Sequence, residues 1–179
     1  MAPATRGGTR DAAAAMWPAI TGWGAGLVLF ALGAGAVSGS TVQPAGLLLI
    51  ALALLALAWG AVTLARGRLI APRASVVGAL AGLVAGGLAL AADPARTSVF
   101  AVAAASVLLV ATAIGCGRAL RATTRLENAP SSKPRLAGIF VAAVVVSALV
   151  TPALGATEAG RLAPDHSVHG GVIEDPHHH

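Results

Sequence analysis

Five apolar stretches divide the first 155 or so positions of this chain, and none carries a charged residue in its interior. They run from about Trp17 to Val37, Ala45 to Ala65, Ala74 to Ala92, Ser98 to Cys116 and Leu136 to Gly155. Each offers roughly 19–22 residues, and about 20 suffice to cross a ~30 Å hydrocarbon core at ~1.5 Å per helical residue. Lipid offers backbone amides no water to bond, so stretches of this kind must be helical. The alternating polarity of a membrane barrel is absent. The sequence therefore predicts an all-α fold, a polytopic transmembrane bundle of five spans. A short segment (1–16) precedes the membrane domain (17–155), and a tail (156–179) follows it.

Only 11% of the residues are charged, against about 25% in an ordinary soluble domain, so there is too little polar surface to cover a water-soluble core. Arginine outnumbers lysine eleven to one in a chain rich in alanine, a bias that suggests a GC-rich, bacterial genome. A sequence pI near 11.4 raises the question of nucleic acid, but no basic surface interleaved with aromatics and no nucleic-acid motif is present. The placement of the basic residues explains the charge instead.

Arg6 and Arg10 precede the first span, Arg66, Arg68 and Arg73 follow the second, and Arg118, Arg121, Arg125, Lys133 and Arg135 follow the fourth. The alternate segments hold only Arg96 and Arg161. Positive residues accumulate on the cytoplasmic side, which predicts an internal N-terminus, an external C-terminus and a place in the inner (cytoplasmic) membrane. Arg6, Arg10 and the Ala34-Gly35-Ala36 stretch also resemble a signal peptide. Its apolar region is longer than the 7–15 residues such segments use, and cleavage there would leave the other spans and the external tail in place.

Glycines four apart lie on one helix face and let a second backbone approach. The third span has Gly78, Gly82 and Gly86 in that spacing, and the first has Gly22 and Gly26 followed by Ala31, Gly35 and Gly39. The pattern serves packing within one bundle or a seam with another membrane subunit or a second copy; the first is the expectation. Pro44 and Pro72 suit first-turn positions, and Asp93-Pro94 makes spans three and four an antiparallel hairpin. Pro152 is expected to help end the fifth span. Trp59 lies too deep for an interfacial belt and is expected to pack. Segment 118–135 should continue the fourth helix by a turn or two, breaking near Pro130 and Pro134, and its cations can hold anionic lipid head groups.

Proton relays and ion-coupled carriers place ionisable groups within the membrane, and the spans hold only hydroxyls such as Thr21, Thr63, Ser106, Thr112 and Ser147. No phosphate loop, zinc-protease helix or nucleotide fingerprint occurs, so the expectation is a protein that is not an enzyme. Cys116, the single cysteine, sits between two glycines beside Arg118 and reads as a small packing residue.

The remaining chemistry lies at the C-terminus. All five histidines fall in the last fourteen residues: His166, His169, His177, His178 and His179. Asp165, Glu174 and Asp175 stand among them. Neutral imidazole suits Zn(II), Cu(II) and Ni(II), and without a sulfur ligand Cu(I) suits the tail less. His166 and His169 are close enough to chelate one ion, Asp165 and Asp175 can add oxygen ligands, and Gly170-Gly171 lets the terminal histidines fold back. The tail itself should be flexible. The expectation is a membrane protein whose external tail binds or hands on a divalent transition metal. An accessory subunit of a larger membrane complex, with the tail incidental, is the alternative, and a small-solute transporter or channel component the third.

Overall fold

The computed structural model describes the backbone of residues 6–38, 44–124 and 136–161, and within these the side chains of 16–38, 44–121 and 140–161. Among the described residues there are helices and no strands. The chain forms α1 (Arg6–Val37), α2 (Pro44–Arg66), α3 (Pro72–Ala92), α4 (Val99–Thr124), α5 (Leu136–Gly155) and a short α6 (Glu158–Arg161). Four helices are long and apolar enough to cross a membrane: Met16–Val37, Pro44–Arg66, Pro72–Ala92 and Val99–Arg121. α5 has 20 residues, of which Phe140–Gly155 form a shorter described apolar stretch.

Helix α1 is the central element. Of its span 56% is buried, against 22% for α2 and 28% for α3. It meets α2 along a seam of small residues that repeats every seven positions. A Cβ built on Gly33 would lie 2.8 Å from the Gly46 carbonyl oxygen. One on Gly26 would lie 3.2 Å from the carbonyl oxygen of Ala53, and one on Gly60 the same distance from that of Ala19. Ala19, Gly26 and Gly33 thus descend one helix while Gly60, Ala53 and Gly46 ascend the other. Seven-residue spacing keeps a seam facing its partner in the left-handed pairs common in membranes. Close backbone approach matters there because leucine packed on leucine gains little over leucine packed on lipid.

Two tryptophans lock this pair. The indole of Trp23 in α1 lies over Gly60, and its Nε1 donates to the Leu57 carbonyl at 2.9 Å. The ring of Trp59 in α2 lies over Gly22, with Cζ3 3.0 Å from where a Cβ would be. Its Nε1 donates 2.7 Å to the carbonyl of Ile70, in the α2–α3 connection. Trp59 is therefore a packing residue, as its depth implied.

The opposite side of α1 is closed by α4 and α5. Gly24 admits Val146 and Val150 of α5 and Leu108 of α4, all within 2.8–3.3 Å of its Cβ position. Gly115 of α4 rests on Pro18, which is buried within α1. The core runs through Ala25, Val28, Leu29 and Leu32 of α1, with Leu49, Ala85, Leu108, Leu109 and Val146 among its neighbours.

α3 and α4 form the expected hairpin. The Asp93 amide bonds the Ala89 carbonyl at 3.1 Å, Asp93 Oδ1 accepts from the Arg96 amide at 3.2 Å, and the Thr97 hydroxyl donates to Ala89. Ser98 then caps α4, its hydroxyl accepting from the Ala101 amide. α2 and α3 begin at Pro44 and Pro72, first-turn positions where a missing N–H costs no helical bond. α4 runs on to Thr124, past its apolar stretch.

Of the glycine ladder in α3, Gly82 meets Leu109 of α4, Gly86 only approaches Val102, and Gly78 and Gly87 meet nothing within 4 Å. The ladder serves packing inside the bundle closely at Gly82 and more loosely at Gly86, and leaves Gly78 open.

The start of the tail departs from a flexible segment. Residues 156–161 form a turn and α6 because Thr157 caps the helix: its hydroxyl accepts from the Gly160 amide at 3.1 Å, and Glu158 occupies the first turn, where the helix dipole favours an acid. The Thr157-Glu158 pair carries this capping signal in the sequence. The Cβ of Glu158 packs 3.0 Å from the Cβ position of Gly35.

Candidate functional site

The two ends of the bundle differ in charge. At one end a small recess joins Gly35 and Ala36 of α1 to Asp93, Arg96 and Thr97 of the α3–α4 turn and to Glu158 of α6. Asp93 and Arg96 face each other there at 3.9 Å, both partly solvated, a geometry worth at most a fraction of a kcal/mol at ~25 °C. Arg161, the last described residue, closes α6. The sequence-proposed metal ligands, Asp165, His166, His169, Asp175 and His177 to His179, lie outside the described residues. Among the described residues no group of three or more His, Cys, Asp or Glu side chains comes together.

The other end is arginine-rich. Gly67 (φ 60°) and Ala71 (φ 44°) both adopt left-handed backbone, which turns α2 into α3 within a few residues. Arg66, Arg68 and Arg73 flank this turn, all exposed, and none has a carboxylate partner among the described residues. Arg118 and Arg121 lie on the last turns of α4.

Between the ends, four of the five intramembrane hydroxyls named from sequence divide into three kinds. Thr21 and Thr112 meet in the buried α1–α4 interface, oxygen to oxygen at 2.9 Å, and Thr112 also reaches the Leu108 carbonyl at 2.8 Å. Ser106 bonds back to Val102 of its own helix. Thr63 is fully buried with no partner for its hydroxyl. Cys116 is buried too, with the Ser75 hydroxyl in reach of its thiol, and packs as expected.

The hydroxyls provide a test of the packing. Thr112→Val should cost about 0.6 kcal/mol, the mean for such bonds in a bilayer, and no more than ~1.7. Adding Thr21→Val should cost less than the sum of the two single changes, because the pair shares one bond. Thr63→Val should leave stability unchanged or raise it, since it removes an unbonded hydroxyl. Unfolding midpoints in detergent, compared across the four variants, give the answer.

Two clefts open from the bundle toward the lipid-facing surface. The first, about 260 Å³, lies among α1 to α4 and is lined by Leu52, Leu55, Trp59, Gly78, Leu109 and Thr112 with their neighbours. The second, about 250 Å³, lies among α1, α2 and α5 around Trp23, Gly24, Leu64, Val146 and Ser147. Both are apolar. Sequence reading did not find them, because each depends on how far two helices splay apart.

No protein-family model, curated protein or solved structure matches this chain. Its function must be read from its own residues. Multi-pass membrane character follows from the four long apolar helices.

Proposed function

We propose that this chain is a non-enzymatic membrane protein of a bacterial cytoplasmic membrane whose external tail binds or hands on a divalent transition metal. In this reading α5 is the fifth span, the N-terminus is cytoplasmic and the tail is outside. Ten of twelve basic residues precede or follow spans on the proposed cytoplasmic side, in keeping with the positive-inside bias. The observation that carries the metal reading is the confinement of every histidine to positions 166–179, beyond a helix, α6, that packs on α1. The spans themselves contain no ionisable side chain that would relay a proton or pair with a transported ion.

Titration of the detergent-solubilised full chain with Zn(II), Cu(II) and Ni(II) tests this reading against a chain ending at Ala163. Moderate, unselective binding is expected for the full chain and none for the truncated one. Imidazole ligands must be neutral to bind. With a reference pKa of ~6.5, two such ligands should bind about 70-fold more weakly at pH 5.5 than at pH 7. His166→Ala with His169→Ala should weaken binding more than removal of residues 177–179. The reverse order would make the site a property of the last three residues alone, and the metal reading would fail.

The second cleft favours one other reading. It lies on the side where α5 meets α1, and Trp23 and Leu27 stand exposed along it. A helix of a larger membrane complex could seat there, which would make the chain an accessory subunit. Co-purification of a stoichiometric membrane partner, lost on Ser147→Trp, which fills the cleft from an exposed position, but retained on tail removal, would establish that alternative.

A further inference from the structure

We propose that the cleft beside α2 and α3 holds one acyl chain of an anionic phospholipid, with the headgroup phosphate at Arg66, Arg68 and Arg73. The proposal depends on the membrane-spanning helices and is independent of the tail. Its first support is that the cleft offers nothing to a polar guest. The Trp59 indole N–H is bonded to Ile70, the Ser75 hydroxyl to Ala71, and the Thr112 hydroxyl to Leu108 and Thr21. Every polar side chain on the wall is engaged, so the occupant within the cleft must be apolar.

The second support is where the charge lies. Trp59 lines the cleft and ties the α2–α3 turn down through Ile70. Arg66 is seven residues beyond Trp59 along α2, about 10 Å at helical rise. Ala74 and Ser75, in the first turn of α3, line the same cleft, and Arg73 immediately precedes them. Three exposed arginines without carboxylate partners among the described residues thus stand in the turn and helix ends just beyond one end of an apolar slot. Guanidinium forks match phosphate oxygens. An amphipathic occupant with an anionic head and an apolar body satisfies both ends.

Size selects one chain. At about 260 Å³ the cleft falls just below the ~300–1,000 Å³ of sites that enclose compact drug-sized ligands. It opens sideways past Leu55, which is 67% exposed, so the second chain of the same lipid remains in the bilayer. Gly78 is what keeps the slot open: a Cβ there would meet nothing within 4 Å.

That open space provides a variant that fills the cleft without disturbing the packing. The full chain is reconstituted in bilayers of equal phosphatidylglycerol and phosphatidylcholine, extracted gently, and weighed by native mass spectrometry. One phosphatidylglycerol per chain is expected on the parent. Gly78→Leu should lose it, with an unfolding midpoint no lower than the parent's. Arg66→Gln, Arg68→Gln and Arg73→Gln together should keep a bound lipid but lose the preference for phosphatidylglycerol, by about fivefold for each arginine removed. Equal retention of the two lipids by the parent overturns the headgroup site. Retention unaffected by Gly78→Leu overturns the acyl-chain site, and so does a dimer that Gly78→Leu dissociates, which would make a second copy the occupant.

Discussion

Gly33→Ala should destabilise this protein by about 1–3 kcal/mol, the cost of overpacking a tight interface, and Gly33→Leu should prevent α1 from pairing with α2. The new Cβ would lie 2.7 Å from Ile50 Cγ1, 2.8 Å from the Gly46 carbonyl oxygen and 3.0 Å from the Ile50 amide nitrogen. Two of these three are backbone atoms, which cannot rotate aside as a side chain can. Relief would require α2 to move as a whole, and the Trp23–Leu57 bond and the Trp59 ring over Gly22 hold it against α1. Gly78→Ala is the control, in the same chain and also in a helix. Its Cβ enters open space, so only the gain from stiffening the backbone remains, about 0.5–1 kcal/mol. Unfolding midpoints in detergent should therefore move in opposite directions for the two substitutions. A similar fall for both would mean that helix propensity, rather than the seam, governs these glycines.

The proposed topology should give an all-or-none result. A membrane-impermeant thiol reagent applied to intact cells should label Ser40→Cys and Gly170→Cys and leave Ile70→Cys and Asn128→Cys untouched. Cys116 is fully buried, so the native thiol adds little background. The same four positions separate five spans from four. If α5 lay along the membrane surface, Gly170→Cys would share the side of Asn128→Cys and both would remain unlabelled. Labelling at Asn128→Cys from outside would reverse every loop assignment, Ile70→Cys included, because the sides alternate along the chain.

The helical fold was legible from sequence because its cause is local. An uncharged run of about 20 residues in lipid has to satisfy its own amides, and prolines 44 and 72 and the Asp93-Pro94 turn mark the ends by their own backbone restrictions. The interfaces were only partly legible. The i+4 glycines drew attention to Gly78, Gly82 and Gly86, yet only Gly82 is tightly packed. The principal seam uses a seven-residue spacing, Gly46, Ala53 and Gly60 against Gly33, Gly26 and Ala19, which is visible in sequence but indistinct in a chain so rich in alanine and glycine. Thr21 and Thr112 could be named as intramembrane hydroxyls, but only the fold brings residues 91 positions apart to 2.9 Å. The clefts left no signal at all, since an open space belongs to no residue. The candidate metal ligands remain a reading of the sequence, because they fall outside the described residues.

The distribution of joins between helices also implies an order in which the bundle can assemble during synthesis. Its most extensive contact links the sequence neighbours α1 and α2, and α4 meets α1 about as broadly as it meets its neighbour α3, whereas α2 touches α3 far less. A chain emerging from the ribosome has every residue of the first glycine-and-tryptophan-locked pair available once Ile70 is made, before any of α3 exists. The second pair can close on its own through the Asp93 turn. Joining the halves then requires α4 to reach back to α1, burying Thr112 against Thr21. The lateral cleft lies along this last join, where two separately formed halves meet.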